Sequence, residues 1–134
     1  LSLAAAAQST GLAAWIGNMM PLGLSMALLI IMFTALIIFL TELTSNLATT
    51  ATFLPIVAII ATQFGFDPLL LTASIAIAAS CAFMLPVATP PNAIVFGSEL
   101  IKVPQMMRAG IVINLIAILV VTLAGLYLVP LFLI

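Results

Sequence analysis

Apolar residues run along this chain in long stretches that only short polar clusters interrupt. Residues 22–40 read LGLSMALLIIMFTALIIFL and carry no charge. A polar cluster, TELTSNLATTAT at 41–52, then intrudes before FLPIVAIIATQFGF resumes at 53–66. Two apolar arms flanking a polar tip predict a helical hairpin over 22–66, with its tip at 41–52. Either both arms cross the apolar layer, or the hairpin is re-entrant and the tip stops near its middle; the parity of crossings does not choose. Asp67-Pro68 pairs a capping carboxylate with proline at the first helical position, so the next element starts there and extends through 67–100. At roughly 1.5 Å per residue, 69–88 would already rise about 30 Å. Pro86, Pro90 and Pro91 fall well inside that element, which predicts a discontinuous helix broken at 86–92. A polar loop at 101–108, holding Lys102, Pro104 and Arg108, leads to a final span over 109–134 with Tyr127 near its far end and Pro130 marking where it stops. The opening stretch, 1–21, reads as an interfacial helix or the tail of a preceding span, with Trp15 at headgroup level.

Composition turns that pattern into a fold class. With 66% hydrophobic residues, 4% charged residues and a mean hydropathy of +1.53, the solvent is a lipid bilayer, and the expected class is an all-α polytopic membrane protein. The formal net charge of -1 leaves no basic patch for nucleic acid. There is no His and one Cys, and the acids Glu42, Asp67 and Glu99 are far apart in sequence, which disfavours an enzyme. Both basic residues, Lys102 and Arg108, lie in 101–108, so the positive-inside rule puts that loop in the cytoplasm and Asp67 and the C-terminus outside. The chain opens at LSLAAAAQSTG without Met, basic n-region or cleavage pattern, and the expectation is that an N-terminal portion precedes it.

The break carries the first candidate chemistry. Each proline removes a backbone donor, so carbonyls near Phe83, Met84 and 86–88 lose helical partners, and lipid tolerates such groups only where protein buries them or a wet cavity meets them. A proline kink or a short interhelical loop is the plain alternative. Thr89 before Pro90 forms an N-cap and first-turn pair, so a new half-helix starts there with its positive end toward the cavity. The tip repeats this logic, because Ser45 or Asn46 can cap a helix through LATTATFLP, whose first N–H groups suit an anion. Two helix N-termini facing across one cavity would make an anion site. Thr41, Thr44, Ser45 and Asn46 add oxygens for a hard cation, the alternative being an interfacial turn rich in capping residues. Glu42 is a cation ligand or proton carrier, or, the reading preferred here, a structural residue, either hydrogen-bonded at the hairpin base or exposed in a cavity.

TELTSNLATTATFLP at 41–55 followed by PVATPPNAIVFGS at 86–98 resembles the C-terminal half of the divalent anion:sodium symporter family, the dicarboxylate and citrate carriers, and the resemblance covers essentially the whole chain. It implies that 22–66 is a re-entrant hairpin, 67–100 a discontinuous helix and 109–134 the last span of one inverted repeat. It further implies sodium-coupled symport of a C4-dicarboxylate such as succinate, elevator-type alternating access, a homodimer, and a bacterial inner (plasma) membrane. Position by position, Ser45, Asn46 and Leu47 align with a substrate-binding signature, and Thr89 and Pro90 with residues beside the substrate. Thr41, Thr44, Asn46 and Ala88 match positions that give oxygens to sodium, chiefly backbone carbonyls. The family signature ends in Thr where this chain has Leu47, so a hydroxyl donor to one carboxylate is missing or replaced by a backbone contact. The first signature and first sodium site would lie in the preceding half, and this chain alone should not transport.

Other residues read as structural. Cys81 is a small packing residue, the seven Met fill gaps or face lipid, and the small residues of TASIAIAASCA suit close helix packing. Asn114 reads as an interhelical hydrogen bond rather than a substrate contact. With no Lys or Arg near the tip or the break in sequence, sodium would offset the charge of a dianion, and each ligand would raise affinity for the other. A non-transporting scaffold or assembly subunit predicts instead that Asn46→Ala and Thr89→Ala leave ligand binding unchanged. A passive anion pore predicts flux without sodium dependence.

Overall fold

Ser25 starts the first long helix by accepting the Leu28 N–H on its hydroxyl at 3.3 Å. The computed structural model describes residues 5, 6, 9–21 and 23–133, and the regular structure among them is entirely helical. The elements are α1 (Leu12–Met19), α2 (Met26–Thr41), α3 (Asn46–Gln63), α4 (Pro68–Ala78), α5 (Pro90–Gly97) and α6 (Val103–Leu123). A π-helical turn at Ala124–Leu128 joins α6 to α7 (Val129–Leu133). Part of the stretch 1–21 read as an interfacial element lies outside the described residues, as does Ile134.

The shorter helix α4 sits centrally, packed against α2, α3 and α6, while α1 lies on α3. On α2 the buried positions Leu29, Ile30, Phe33, Thr34, Ile37, Ile38 and Thr41 recur at helical spacing and form one stripe. Its apolar members meet Val57 and Ile60 of α3 and Leu71 and Ile75 of α4 in a common core. In a bilayer this packing is driven by close contact and interhelical hydrogen bonds, since lipid tails are as apolar as the core. From Ala109 to Leu123 the exposed flank of α6, including Val112, Leu115, Ile116 and Leu119, carries no polar side chain to disturb that environment. Two continuous helices, Asn46–Gln63 and Val103–Phe132, are long and apolar enough to cross a membrane.

Between α3 and α4 the chain turns at Gly65, whose φ of 75° belongs to the left-handed region that glycine enters without a Cβ penalty. The Phe66 N–H reaches Ala61 O at 2.9 Å and the Gly65 N–H reaches Thr62 O at 3.0 Å, which closes the end of α3 with two crossed bonds. Asp67 then caps α4, its Oδ1 accepting the Leu69 N–H at 2.8 Å, with Pro68 at the first helical position.

Three boundaries differ from those drawn on the sequence. The helix breaks over 79–89 rather than 86–92: α4 stops at Ala78, and Pro90 and Pro91 begin α5 instead of interrupting a helix. Proline suits a first helical turn, where its missing N–H has no partner to lose, and the unwinding starts upstream because a buried carboxylate captures the backbone there. The loop 101–108 shrinks to 98–102, and the final helix begins at Val103 rather than at 109. Pro104 sits in its first turn, and Gln105 Oε1 accepts the Lys102 N–H at 2.9 Å. Pro130 does not end the last helix. The π-turn widens the backbone, with the Val129 N–H bonded to Ala124 O, and this accommodates the proline so that helix continues to Leu133.

Candidate functional site

Glu42, directly after α2, is 4% exposed and organises the centre of the molecule. Its Oε1 accepts the backbone N–H groups of Phe83 at 2.8 Å and Met84 at 2.9 Å, and its Oε2 accepts that of Leu85 at 2.9 Å. Asn114 of α6, fully buried, donates a fourth hydrogen bond from Nδ2 to Oε1 at 2.8 Å. The carboxylate is thus solvated by four neutral N–H donors, which satisfies a buried acceptor without a Lys or Arg. Of the readings open for Glu42, this geometry supports the structural one. Its three backbone partners belong to the break, 41 to 43 positions away in sequence, so the base of the polar tip is also the clamp on the unwound segment.

Thr41 makes the second link between tip and break. Its hydroxyl lies 2.6 Å from Asn46 Oδ1 and 3.0 Å from Ala79 O, the carbonyl where α4 unwinds. One hydroxyl proton is shared among three oxygens there. Such a cluster has more lone pairs than protons, the electronic condition that an alkali or other hard cation relieves. The Thr44 hydroxyl turns back to Leu40 O at 2.9 Å and meets Thr49 Oγ1 at 2.7 Å, so its side chain closes the hairpin. The carbonyl of Thr44 and that of Ala88 accept no hydrogen bond among the described residues, which leaves both as available oxygens.

Ser45 occupies the N-cap position of α3, but its side chain does not bond to the helix. The first three N–H groups of that helix, on Asn46, Leu47 and Ala48, have no protein partner among the described residues. An uncapped helix start with a free hydroxyl beside it suits an anionic oxygen. Leu47 is 79% exposed at the same end and adds an apolar surface rather than a donor.

The start of α5 is different in kind. Thr89 Oγ1 accepts the Asn92 N–H at 3.4 Å, Pro90 and Pro91 have no N–H, and the Ala93 N–H is bonded to Thr89 O at 3.1 Å. The expectation of two N-termini offering amides across a cavity therefore fails at α5, because its first turn has no free amide to offer. What this end presents is the Thr89 hydroxyl proton, the Ala88 carbonyl and the helix dipole. Asn92 serves the break from inside: its Nδ2 donates to Ala82 O at 2.9 Å and Leu85 O at 3.0 Å, filling both donor positions of the amide. Two of the carbonyls released by unwinding are satisfied in this way.

The structure therefore joins Thr41, Asn46 and the upstream end of the break directly, and sets Thr44 and Ser45 in the same turn. Among the described residues no hydrogen bond joins Ser45, Asn46 or Leu47 to Ala88, Thr89 or Pro90. Sequence reasoning gave Asn92 no specific role and missed the Glu42 clamp on Phe83, Met84 and Leu85. The Thr-Pro-Pro-Asn tetrapeptide held a signal for Asn92, an amide one turn inside a helix that follows unpaired carbonyls. A cavity of about 420 Å³ lies between α5 and the start of α6, bordered by Phe83, Asn92, Gln105 and Gly110. It is mostly apolar, and none of the tip residues lines it.

Comparison with known proteins bears on the family of the chain. The family model described as "Sodium:sulfate symporter transmembrane region" matches residues 1–134. The chain is 44% identical over 132 residues to the sodium-dependent dicarboxylate transporter SdcS of Staphylococcus saprophyticus, covering 97% of this chain and 25% of that protein. It is 45% identical over the same length to SdcS of Staphylococcus aureus strain MRSA252, again with 97% and 25% coverage. The chain thus spans about a quarter of the length of these curated relatives. Both names describe transporters, not enzymes. An all-helical architecture with two apolar candidate spans, a polar tip tied to a broken helix and a match over the full length place this integral membrane chain in the sodium:sulfate symporter family, the divalent anion:sodium symporters that its tip and break resemble.

Proposed function

We propose that this chain forms the C-terminal portion of a sodium-coupled symporter of C4-dicarboxylates such as succinate. The observation that carries this reading is the tie between tip and break through Thr41 and Glu42. With 11 residues, α4 rises about 16 Å from Asp67, roughly half of a ~30 Å hydrocarbon core. The break lies at that depth, and the tip is fastened to it. This favours a re-entrant hairpin over 22–66 whose tip stops near midplane, facing a discontinuous helix over 67–100.

In this reading sodium takes the oxygens of Thr41 and Asn46 with the carbonyls of Thr44 and Ala88. One carboxylate of the substrate meets the Ser45 hydroxyl and the uncapped N–H groups of α3, and Thr89 donates its hydroxyl proton from the other side, next to Pro90. No Lys or Arg takes part, so the cation supplies the positive charge. Binding of each ligand then strengthens the other by the same factor. Leu47 removes a hydroxyl from the substrate end and leaves room for another divalent anion, such as citrate, as the preferred cargo. The preceding half of the transporter, a homodimeric assembly, elevator-type movement in a bacterial plasma membrane and a cytoplasmic 98–102 loop complete the proposal.

The test is sodium-dependent binding of labelled succinate to the purified complete protein that carries these residues. Binding that rises with sodium and is absent in potassium or choline supports the reading. Binding indifferent to sodium would favour a passive anion pore, and no binding of succinate or citrate would favour a scaffold.

A further inference from the structure

The last helix touches the break at two points one turn apart on one face. At Gly110 the approach is so close that a Cβ would collide with Phe83 O and stand 2.5 Å from the Met84 Cα, both backbone atoms. At Asn114 the side chain donates to Glu42 Oε1, the oxygen that also accepts the Phe83 and Met84 N–H groups. Asn114 is 0% exposed, and its own Oδ1 has no hydrogen-bond partner among the described residues. An amide buried in a lipid-facing helix with one end unsatisfied costs stability, so packing alone does not account for it. Its donor end is the part the structure uses.

We propose that Asn114 is a positioning residue, which fixes the orientation of the Glu42 carboxylate and through it the path of the break and the affinity of the site for sodium. It touches neither ion nor substrate. Glu42 precedes Ser45 by three residues and follows Thr41 directly, so a rotation of its carboxylate moves the Phe83–Leu85 amides and shifts Ala79 O relative to the Thr41 hydroxyl. Without the Asn114 donor, Oε1 keeps two backbone N–H groups but loses its side-chain donor. The last helix would then report its own displacement to the sodium site, since moving α6 moves the donor. The sodium part of this inference rests on the proposed function; the structural part does not.

The experiment compares the complete wild-type protein with Asn114→Asp and Asn114→Ala in two readouts. Asn114→Asp keeps the shape and sets a second carboxylate against the first, whereas Asn114→Ala only deletes the donor. Hydrogen exchange should speed up at the amides of Phe83, Met84 and Leu85 in both variants, with the middle of α6 unchanged. In proteoliposomes the sodium concentration for half-maximal succinate uptake should rise about tenfold, the equivalent of one lost charge-assisted hydrogen bond, with the maximal rate retained. Unchanged exchange at those three amides overturns the proposal. Faster exchange with an unchanged sodium requirement overturns its sodium part. If the wild type itself takes up no succinate or citrate with sodium, the proposed function fails, while the exchange data still decide whether Asn114 holds the break. Should Asn114→Asp fail to fold, Asn114→Ala carries both readouts.

Discussion

At the residue scale the centre of the molecule is a carboxylate held by neutral donors. Glu42→Gln replaces an acceptor with an amide that must turn its NH2 toward either Leu85 N–H or the Phe83, Met84 and Asn114 donors. One N–H then faces another, and the expected loss is about 2 kcal/mol or more of stability, measured as a lower thermal midpoint of the complete protein in detergent. An unchanged midpoint would mean that the clamp contributes little. Asn92→Ala removes both bonds to the break carbonyls, leaving Ala82 O without its amide partner and Leu85 O with only the Ala88 N–H, and should cost a similar ~2 kcal/mol in the same assay. Leu47→Thr is different, because Leu47 is exposed and packs on nothing that the fold needs. It should leave stability alone and change the concentration of dicarboxylate required for half-maximal uptake. Equal behaviour of the wild type and the Leu47→Thr variant toward succinate and citrate would place the substrate away from this end of α3.

At the scale of elements, turn chemistry was enough to find the start of α4 at Asp67-Pro68 and the start of α5 at Thr89-Pro90. These are local signals, each carried by one or two residues whose backbone preferences are strong. The upstream edge of the break was not legible. Nothing between Ala79 and Leu85 is a helix breaker, and α4 ends there because Glu42, distant in sequence, takes the N–H groups that would have continued the ladder. Pro130 misled for the converse reason: a π-turn five residues long absorbs a proline that local rules treat as a stop. Gly110 was equally silent in sequence, yet it sets how near α6 comes to the break. Gly110→Ala should push the two backbones apart and cost about 1–3 kcal/mol, since neither Phe83 O nor the Met84 Cα can rotate away. A thermal melt checks the cost, and a wild-type midpoint would show that the contact has slack.

At the scale of the whole molecule, the tip and the break are parts of one arrangement rather than two polar interruptions of a hydrophobic chain. The turn between α2 and α3 brings Thr41, Asn46 and an uncapped helix start beside Ala79, where α4 unwinds, and the last helix braces the unwound segment through Asn114 and Glu42. Oxygen atoms without enough protons, free amides and the absence of Lys or Arg among the contacts of Glu42 and the tip hydroxyls suit a site that takes cation and anion together. Family membership is shown by the matching family model and the SdcS relatives, and the proposed cation and anion site rests on the geometry. The most direct test is sodium-stimulated uptake of labelled succinate into proteoliposomes by the complete protein, comparing wild type with Asn46→Ala and Thr89→Ala at equal reconstitution. One coupled site predicts that the wild type accumulates succinate only with sodium and that both variants, folded as judged by their melts, lose the sodium-stimulated component. Variants that match the wild type would contradict the account, leaving the break a structural kink and placing the chemistry elsewhere.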